Sequence, residues 1–408
     1  MAGAATGPLK DVRVIDLTSV LMGPYATQIF ADLGADVIKV ESPEGDTTRY
    51  LPPGPDPDRG SMFMNVNRGK RSIVLDLKKP AARDALLRLA GDADVFIHSM
   101  RAQAIGRLGL DYSALRAVNP DIVYANLYGF GRKGPYADYP AYDDIVQAAS
   151  GLVSLQASLS GGKPTYLATV VADKVAGLTA AYAVSAALFA RERTGKGQEI
   201  EVPMFETLAS FTMVEHLCGA LFDPAIGKPE YPRVTSPHRR PYKTRDGYIG
   251  VMIYNDKHWR SFFDAIGNPE WSLQPMFASM RSRTENITEV LGHVADTLKE
   301  RTTDEWMALF ERAQCPAMRI ATMEDLLTDP HLEQVGFWDR RDTPDGPIRM
   351  PGIPADFSGT PGAIGEPGPS LGAHGIEILR EAGFGEAEIE SLHASGAFKT
   401  PKTPSLQD

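Results

Sequence analysis

Apolar residues in the first part of the chain come in short blocks separated by amphipathic stretches. Residues 12–17 (VRVIDL) and 36–40 (DVIKV) read as strands, with a helical pattern at about 24–33 between them. A strand–helix–strand unit with so short a crossover predicts a parallel α/β sheet. The pattern continues with a strand inside NRGKRSIVLDLKKP from Asn67, a helix near 81–90 and a strand at 94–97. A helix around Ala104 and a strand at 122–127 follow. A Gly-rich turn at 129–136 then leads to a helix that starts at Tyr142 and Asp143.

The stretch 164–202 stands out. A β-rich run at 166–171 precedes a nearly wholly apolar helical pattern at about 172–189. The helix closes on Arg191, Arg193 and Lys196, with Gly195 and Gly197 as stop residues,. A helix that is apolar all round is expected to be buried. One carboxylate, Asp173, sits in its first turn, where the helix dipole favours the ionised form. Beyond it, residues 205–221 read as helix and 222–241 as a Pro-rich linker. A second unit from about Tyr242 to Asp329 opens with strand-like GYIGVMIY and contains helices at HWRSFFDAIG and TDEWMALFERA. Trp259 and Trp306 read as core residues there. The Pro/Gly-rich span 344–369 reads as an extended connection.

Composition narrows the classes. The chain has 408 residues, 43% of them apolar, enough for two or three domains with a large core,. The helix at 172–189 is short and carries Asp173 and Lys174, so it does not read as a membrane span. No signal pattern is read at the N-terminus, and the expected location is cytoplasmic. Two separate cysteines, Cys218 and Cys315, suggest neither a disulfide framework nor a metal site,. A net charge of −10 argues against nucleic acid as a partner, while leaving room for a local anion site,. Arg68, Lys70, Arg71, Lys78 and Lys79 crowd around one strand and make phosphate binding a competitor to a solvated basic face,. The first βα loop (TSVLMGP) lacks G-x-G-x-x-G, so a dinucleotide site of the usual kind is not supported,.

In this order, GPYATQIFADLGADVIKVE, NRGKRSIVLDLK, AYDDIVQAASG, ADKVAG…RERTGKGQ and LGAHGIEILREAGFGEAEIESL resemble the class III CoA-transferase family. That superfamily also includes α-methylacyl-CoA racemases. The resemblance implies a Rossmann-like large domain with a parallel sheet, a smaller α+β domain and an interlocked homodimer. It divides the chain into 1–220, a linker 221–241, a small domain 242–330 and a return segment 331–408. It places the nucleophile on Asp173. It places coenzyme A contacts on Val20, Leu21, Leu75, Lys78, Met100 and Arg107, with Ala141, Tyr142 and Asp143 lining the acyl end. No tightly bound cofactor or metal is expected; acyl-CoA and a free carboxylic acid are the substrates. Ser42, Ser99 and Pro140 stand where formyl-CoA transferases carry other residues, so formyl or oxalate specificity does not carry over.

The chemistry suits a carboxylate. Moving CoA between acids needs a nucleophile whose acyl anhydride and thioester both stay reactive. Backbone N–H groups at the start of the Asp173 helix are the expected stabilisers of the oxyanions. The alternatives are an acyl-CoA racemase, for which Tyr142 replaces the histidine that racemases use, and a CoA-binding protein without catalysis.

Overall fold

A computed structural model describes residues 6–400. The chain forms two compact units. The first comprises residues 6–150, 168–211 and 334–400; the second comprises 151–167 and 212–333.

The first unit is built on a seven-stranded sheet. Its strands are β1 (Arg13–Leu17), β2 (Asp36–Glu41), β3 (Arg71–Leu75), β4 (Val95–His98), β5 (Val123–Tyr128) and β6 (Gln198–Pro203), plus Phe398–Lys399. The order is Phe398–Lys399, β3, β2, β1, β4, β5, β6; all pairs are parallel except Phe398–Lys399 with β3. Mixed α/β architecture around a largely parallel sheet is thus the fold class.

The two-residue period of a strand sorts side chains between the sheet's faces. Ile15, Ile38, Ile73, Phe96 and Tyr124 face a core shared with Ala82, Ala85, Leu86 and Leu89 of the helix Pro80–Gly91. Ile378, Leu379, Ile389, Leu392 and Phe398, from the far end of the chain, complete that core. Their alternates Asp16, Lys39, Glu41 and Ser72 fall on the other face, and all four are buried. That face therefore carries a layer of paired charge, because a buried charge without a partner is prohibitively costly. Asp16 pairs with Lys70 at 3.2 Å, Lys39 with Asp46 at 3.1 Å and Glu41 with Arg49 at 2.7 Å.

Three expectations need correction. Residues 163–170 form no strand. All but Leu167 of residues 161–170 are exposed, and β-branched or aromatic content makes a strand only where a pleated surface awaits it,. The long helix spans Val171–Thr194, and only one face is buried: Ala172, Ala176, Gly177, Ala180, Ala181, Val184, Ala187 and Leu188. Leu178, Tyr182 and Phe189 are exposed on the other. The extended connection begins as an antiparallel hairpin, Trp338–Thr343 with Gly346–Pro351, before irregular chain resumes.

The second unit has an apolar core in which Trp259 and Trp306 are both buried, as the sequence suggests. A three-stranded sheet, Tyr242–Lys243, Tyr248–Val251 and Ala317–Arg319, lies beside the helices Asp256–Ala265, Ile287–Leu298 and Thr303–Ala313.

Candidate active site

Asp173 is positioned by a close helix crossing. One turn further along its helix is Gly177, where an added Cβ would stand 2.7 Å from the carbonyl oxygen of Met22. Only glycine admits that approach. It brings Asp173 to the start of the helix Met22–Asp32, and the Met22 N–H donates to the Asp173 carboxylate.

Asp143, in the first turn of the helix Asp143–Ala149, backs the site from below. Its Oδ1 accepts from the N–H groups of Ala172 at 2.7 Å and Asp173 at 3.1 Å. Its Oδ2 accepts from Gln147 Nε2 at 2.5 Å. The N–H of Val171 goes to Thr169 O, and that of Lys174 to Val170 O. The amides at the start of the Asp173 helix are therefore engaged internally. They are not the open oxyanion donors the sequence suggests; the Met22 N–H is the amide that faces the Asp173 carboxyl.

The electrostatic expectation is also reversed. Burial first, and the Asp143 charge second, push the Asp173 carboxyl up to about 6, against the Met22 hydrogen bond. Desolvation and a like charge outweigh the helix-end field. At neutral pH the carboxylate is still mostly ionised, and it is more basic than an ordinary aspartate.

A cavity of about 620 Å³ opens at the carboxyl ends of β1, β2 and β3 and the segment after β4. Parallel sheets offer their binding crevice there, where the strand order reverses between β1 and β4,. Val20, Leu75, Lys78, Met100, Arg107 and Tyr142 all line it. Leu21, Ala141, Asp143 and Asp173 are not among its lining residues. Leu21 is buried ahead of Met22, and Ala141 packs on Gly129, where an added Cβ would sit 2.1 Å from its own.

The loop over this cavity is held under tension. Val20 has φ 70°, a left-handed conformation that a β-branched residue adopts only when its surroundings impose it,. The Asp46 carboxylate accepts from the Val20 N–H at 3.2 Å, and Lys39 holds both Asp46 and, at 2.9 Å, the Thr18 carbonyl. Ser99 Oγ accepts from the Ser19 N–H at 3.2 Å. On the far side of the crevice the Met100 N–H donates to His98 Nδ1 at 3.1 Å, and burial pulls His98 down to about 4, so the imidazole is neutral. These supports went unread in the sequence. The signal was there: Lys39 and Asp16 interrupt apolar strands that a parallel sheet buries on both faces.

The basic cluster resolves differently from the expected phosphate site. Arg68 pairs with Asp32, Lys70 with Asp16, Arg71 with Asp36, Glu377 and Glu381, and Lys79 donates to the Ser395 carbonyl. Lys78 is exposed at the cavity, as is Arg107, and neither side chain pairs with a carboxylate among the described residues.

A model of CoA-transferase family III matches residues 9–375, and the chain belongs to that family. It is an enzyme, a family III CoA-transferase. Succinate–glutarate CoA-transferase of Agrobacterium fabrum is 34% identical over 389 residues, 92% of this chain and 95% of its own length. Succinyl-CoA:mesaconate CoA-transferase of Haloarcula hispanica is 33% identical, covering 93% of this chain and 97% of that protein. Acetyl-CoA:oxalate CoA-transferase of Acetobacter aceti is 34% identical, covering 94% and 97%. A crystal structure of a CAIB/BAIF family protein from Brucella suis is 30% identical, with a TM-score of 0.77 over 92% of this chain and all of its own.

Proposed function

We propose that Asp173 is the covalent nucleophile of a CoA transfer from an acyl-CoA to a free carboxylic acid. A carboxylate kept partly desolvated and raised to about 6 carries this reading, since it is more nucleophilic than a solvated one yet mostly ionised at neutral pH,. Asp173 attacks the thioester carbonyl; the C–S bond breaks, giving an acyl-aspartyl anhydride and CoA thiolate. The thiolate attacks the Asp173 carbonyl carbon and expels the donor acid, leaving an aspartyl-CoA thioester. The acceptor carboxylate attacks that thioester and releases the thiolate again. The thiolate then attacks the acceptor acyl carbonyl, and Asp173 leaves as a carboxylate. The Met22 N–H stabilises the oxyanion on the Asp173 carbonyl in the two central steps,. The relatives' names join succinate to glutarate, succinyl-CoA to mesaconate and acetyl-CoA to oxalate, and we take the acceptor to be a short-chain dicarboxylic acid.

The experiment is trapping. Incubation with succinyl-CoA followed by hydroxylamine is expected to inactivate the enzyme and convert Asp173 to a hydroxamate, read as a mass change on the ATVVADK peptide. An isomerase that moves only an α-proton leaves the thioester intact and gives no adduct. Under proven turnover, an unmodified peptide would remove the covalent route.

The cavity at the strand ends is the proposed coenzyme A site, with Lys78 and Arg107 on its phosphates. Lys78→Ala and Arg107→Ala are each expected to raise KM about tenfold for every acyl-CoA alike. A change confined to acyl preference would place them elsewhere. We further propose a homodimer. Leu178, Tyr182 and Phe189 share one exposed helix face, and covering each large apolar side chain is worth about 2 kcal/mol,. Sedimentation equilibrium is expected to give twice the chain mass; a monomer at micromolar concentration would refute it.

A further inference from the structure

The second unit has a cavity of its own. About 290 Å³ in volume, it is floored by Trp259, Ile253, Leu291 and Val294, all buried, and bordered by Arg233 and Arg239. Arg240 lines it too, but its Nε is spent on the Pro237 carbonyl at 2.6 Å. No acidic residue occurs from 231 to 245, a stretch with Arg233, Arg239, Arg240, Lys243 and Arg245, although the chain as a whole carries −10. Arg233 donates to the Met252 sulfur at 3.1 Å and stands 5.2 Å from the Tyr254 ring, with no ion-pair partner among the described residues. The Arg239 guanidinium has no hydrogen-bond or ion-pair partner among the described residues, and both arginines act on the buried Tyr242 hydroxyl. Two guanidiniums over an apolar floor, with no carboxylate paired to them among the described residues, are a chemical half without its complement. Guanidinium takes a carboxylate bidentately, and an aliphatic chain behind it would displace water from the floor.

We infer that this cavity is a recognition site for an aliphatic carboxylic acid, held carboxylate-first by Arg233 and Arg239 with its chain over Trp259, Ile253 and Leu291. Inorganic phosphate matches the cations but leaves the apolar floor wet. The assignment of the ligand as one of the acids the enzyme handles rests on the transferase reading above.

The test is calorimetric titration of the full chain with the five-carbon diacid glutarate. Wild type is expected to bind it, and Arg233→Gln and Arg239→Gln are expected to weaken binding about tenfold or more. Arg239 is exposed, so its replacement leaves the core untouched. Dimethyl glutarate, uncharged, is expected not to bind, and phosphate at equal concentration not to displace glutarate. The inference is overturned if glutarate does not bind, if both variants bind within about twofold of wild type, or if phosphate competes equally. The hydroxylamine adduct from succinyl-CoA is read in wild type, so that the covalent route is tested separately from the cavity. Should wild type form no adduct yet show arginine-dependent glutarate binding, the covalent route falls and the cavity stands.

Discussion

Asp173→Asn is expected to lower CoA transfer by about 10⁴-fold or more, while making the folded protein more stable at neutral pH. The rate loss follows from removing the proposed nucleophile, since an amide does not form the acyl anhydride. The stability gain follows from the environment that activates it. The native state keeps a proton on Asp173 up to about pH 6, whereas the unfolded chain gives it up near pH 4,. Native stability therefore falls as pH rises through that window, and the deficit is complete above it. Asparagine is neutral throughout, keeps an oxygen for the Met22 N–H and removes the repulsion from Asp143. The raised acidity constant corresponds to at most about 3 kcal/mol, and solvent reaching the partly exposed side chain cuts this to about 1–2. Denaturant titrations of both proteins at pH 4 and pH 8 check this: the variant is expected to lead at pH 8 and the gap to close at pH 4. The wild-type kcat/KM profile is expected to show an acid limb near pH 6. Substantial transfer in the variant, or a stability gap indifferent to pH, would dismantle the assignment.

The second large effect is expected at a fully buried residue of the charge layer, Lys39. Lys39→Met removes one partner from a fully buried cluster and leaves Asp46 and Asp16 with less opposing charge. Breaking a buried pair from one side costs about 3–5 kcal/mol, because the remaining charge stays dehydrated. Asp46 also holds the Val20 N–H, so the loop over the crevice loses its anchor and KM for acyl-CoA rises with the fall in stability. Lys78→Met, at an exposed lysine, is the control and is expected to stay within about 0.5 kcal/mol of wild type,. Equal stability of the two variants would show that the cluster tolerates an uncompensated carboxylate.

The contrast between these lysines explains what the sequence made legible. The parallel sheet was readable because its strands are apolar runs spaced by helical patterns; Asp173 stood out as an acid in the first turn of a mostly apolar helix, and its chemical role was implied by the family resemblance and is proposed above. The basic cluster from Arg68 to Lys79 misled for a physical reason. Four of its five cations are tied to Asp32, Asp16, Asp36 and the Ser395 carbonyl, three of them aspartates from earlier strands and helices and the fourth from more than three hundred residues onward. Local sequence carries no trace of a partner so distant. The strand read at 166–171 failed similarly: propensity was present and the neighbouring strand was not. Asp143, which the resemblance places at the acyl end, uses its carboxylate to hold the amides of Ala172 and Asp173, a contact with residues 29 and 30 positions away that local sequence does not announce.

The sheet closes with Phe398–Lys399 against β3, and Ala397 and Phe398 fill the same core as Ile73. The first unit thus joins β3 to residues more than three hundred positions further along, and during synthesis that edge of β3 stays unpaired until those residues have been made. Folding of this unit is consequently a late event of high contact order. An unfinished chain meanwhile offers apolar β3 as a pairing edge to other nascent chains. Stop mutations that remove only the last strand are therefore expected to drain the protein into aggregates during expression, before any shortfall in turnover could be measured.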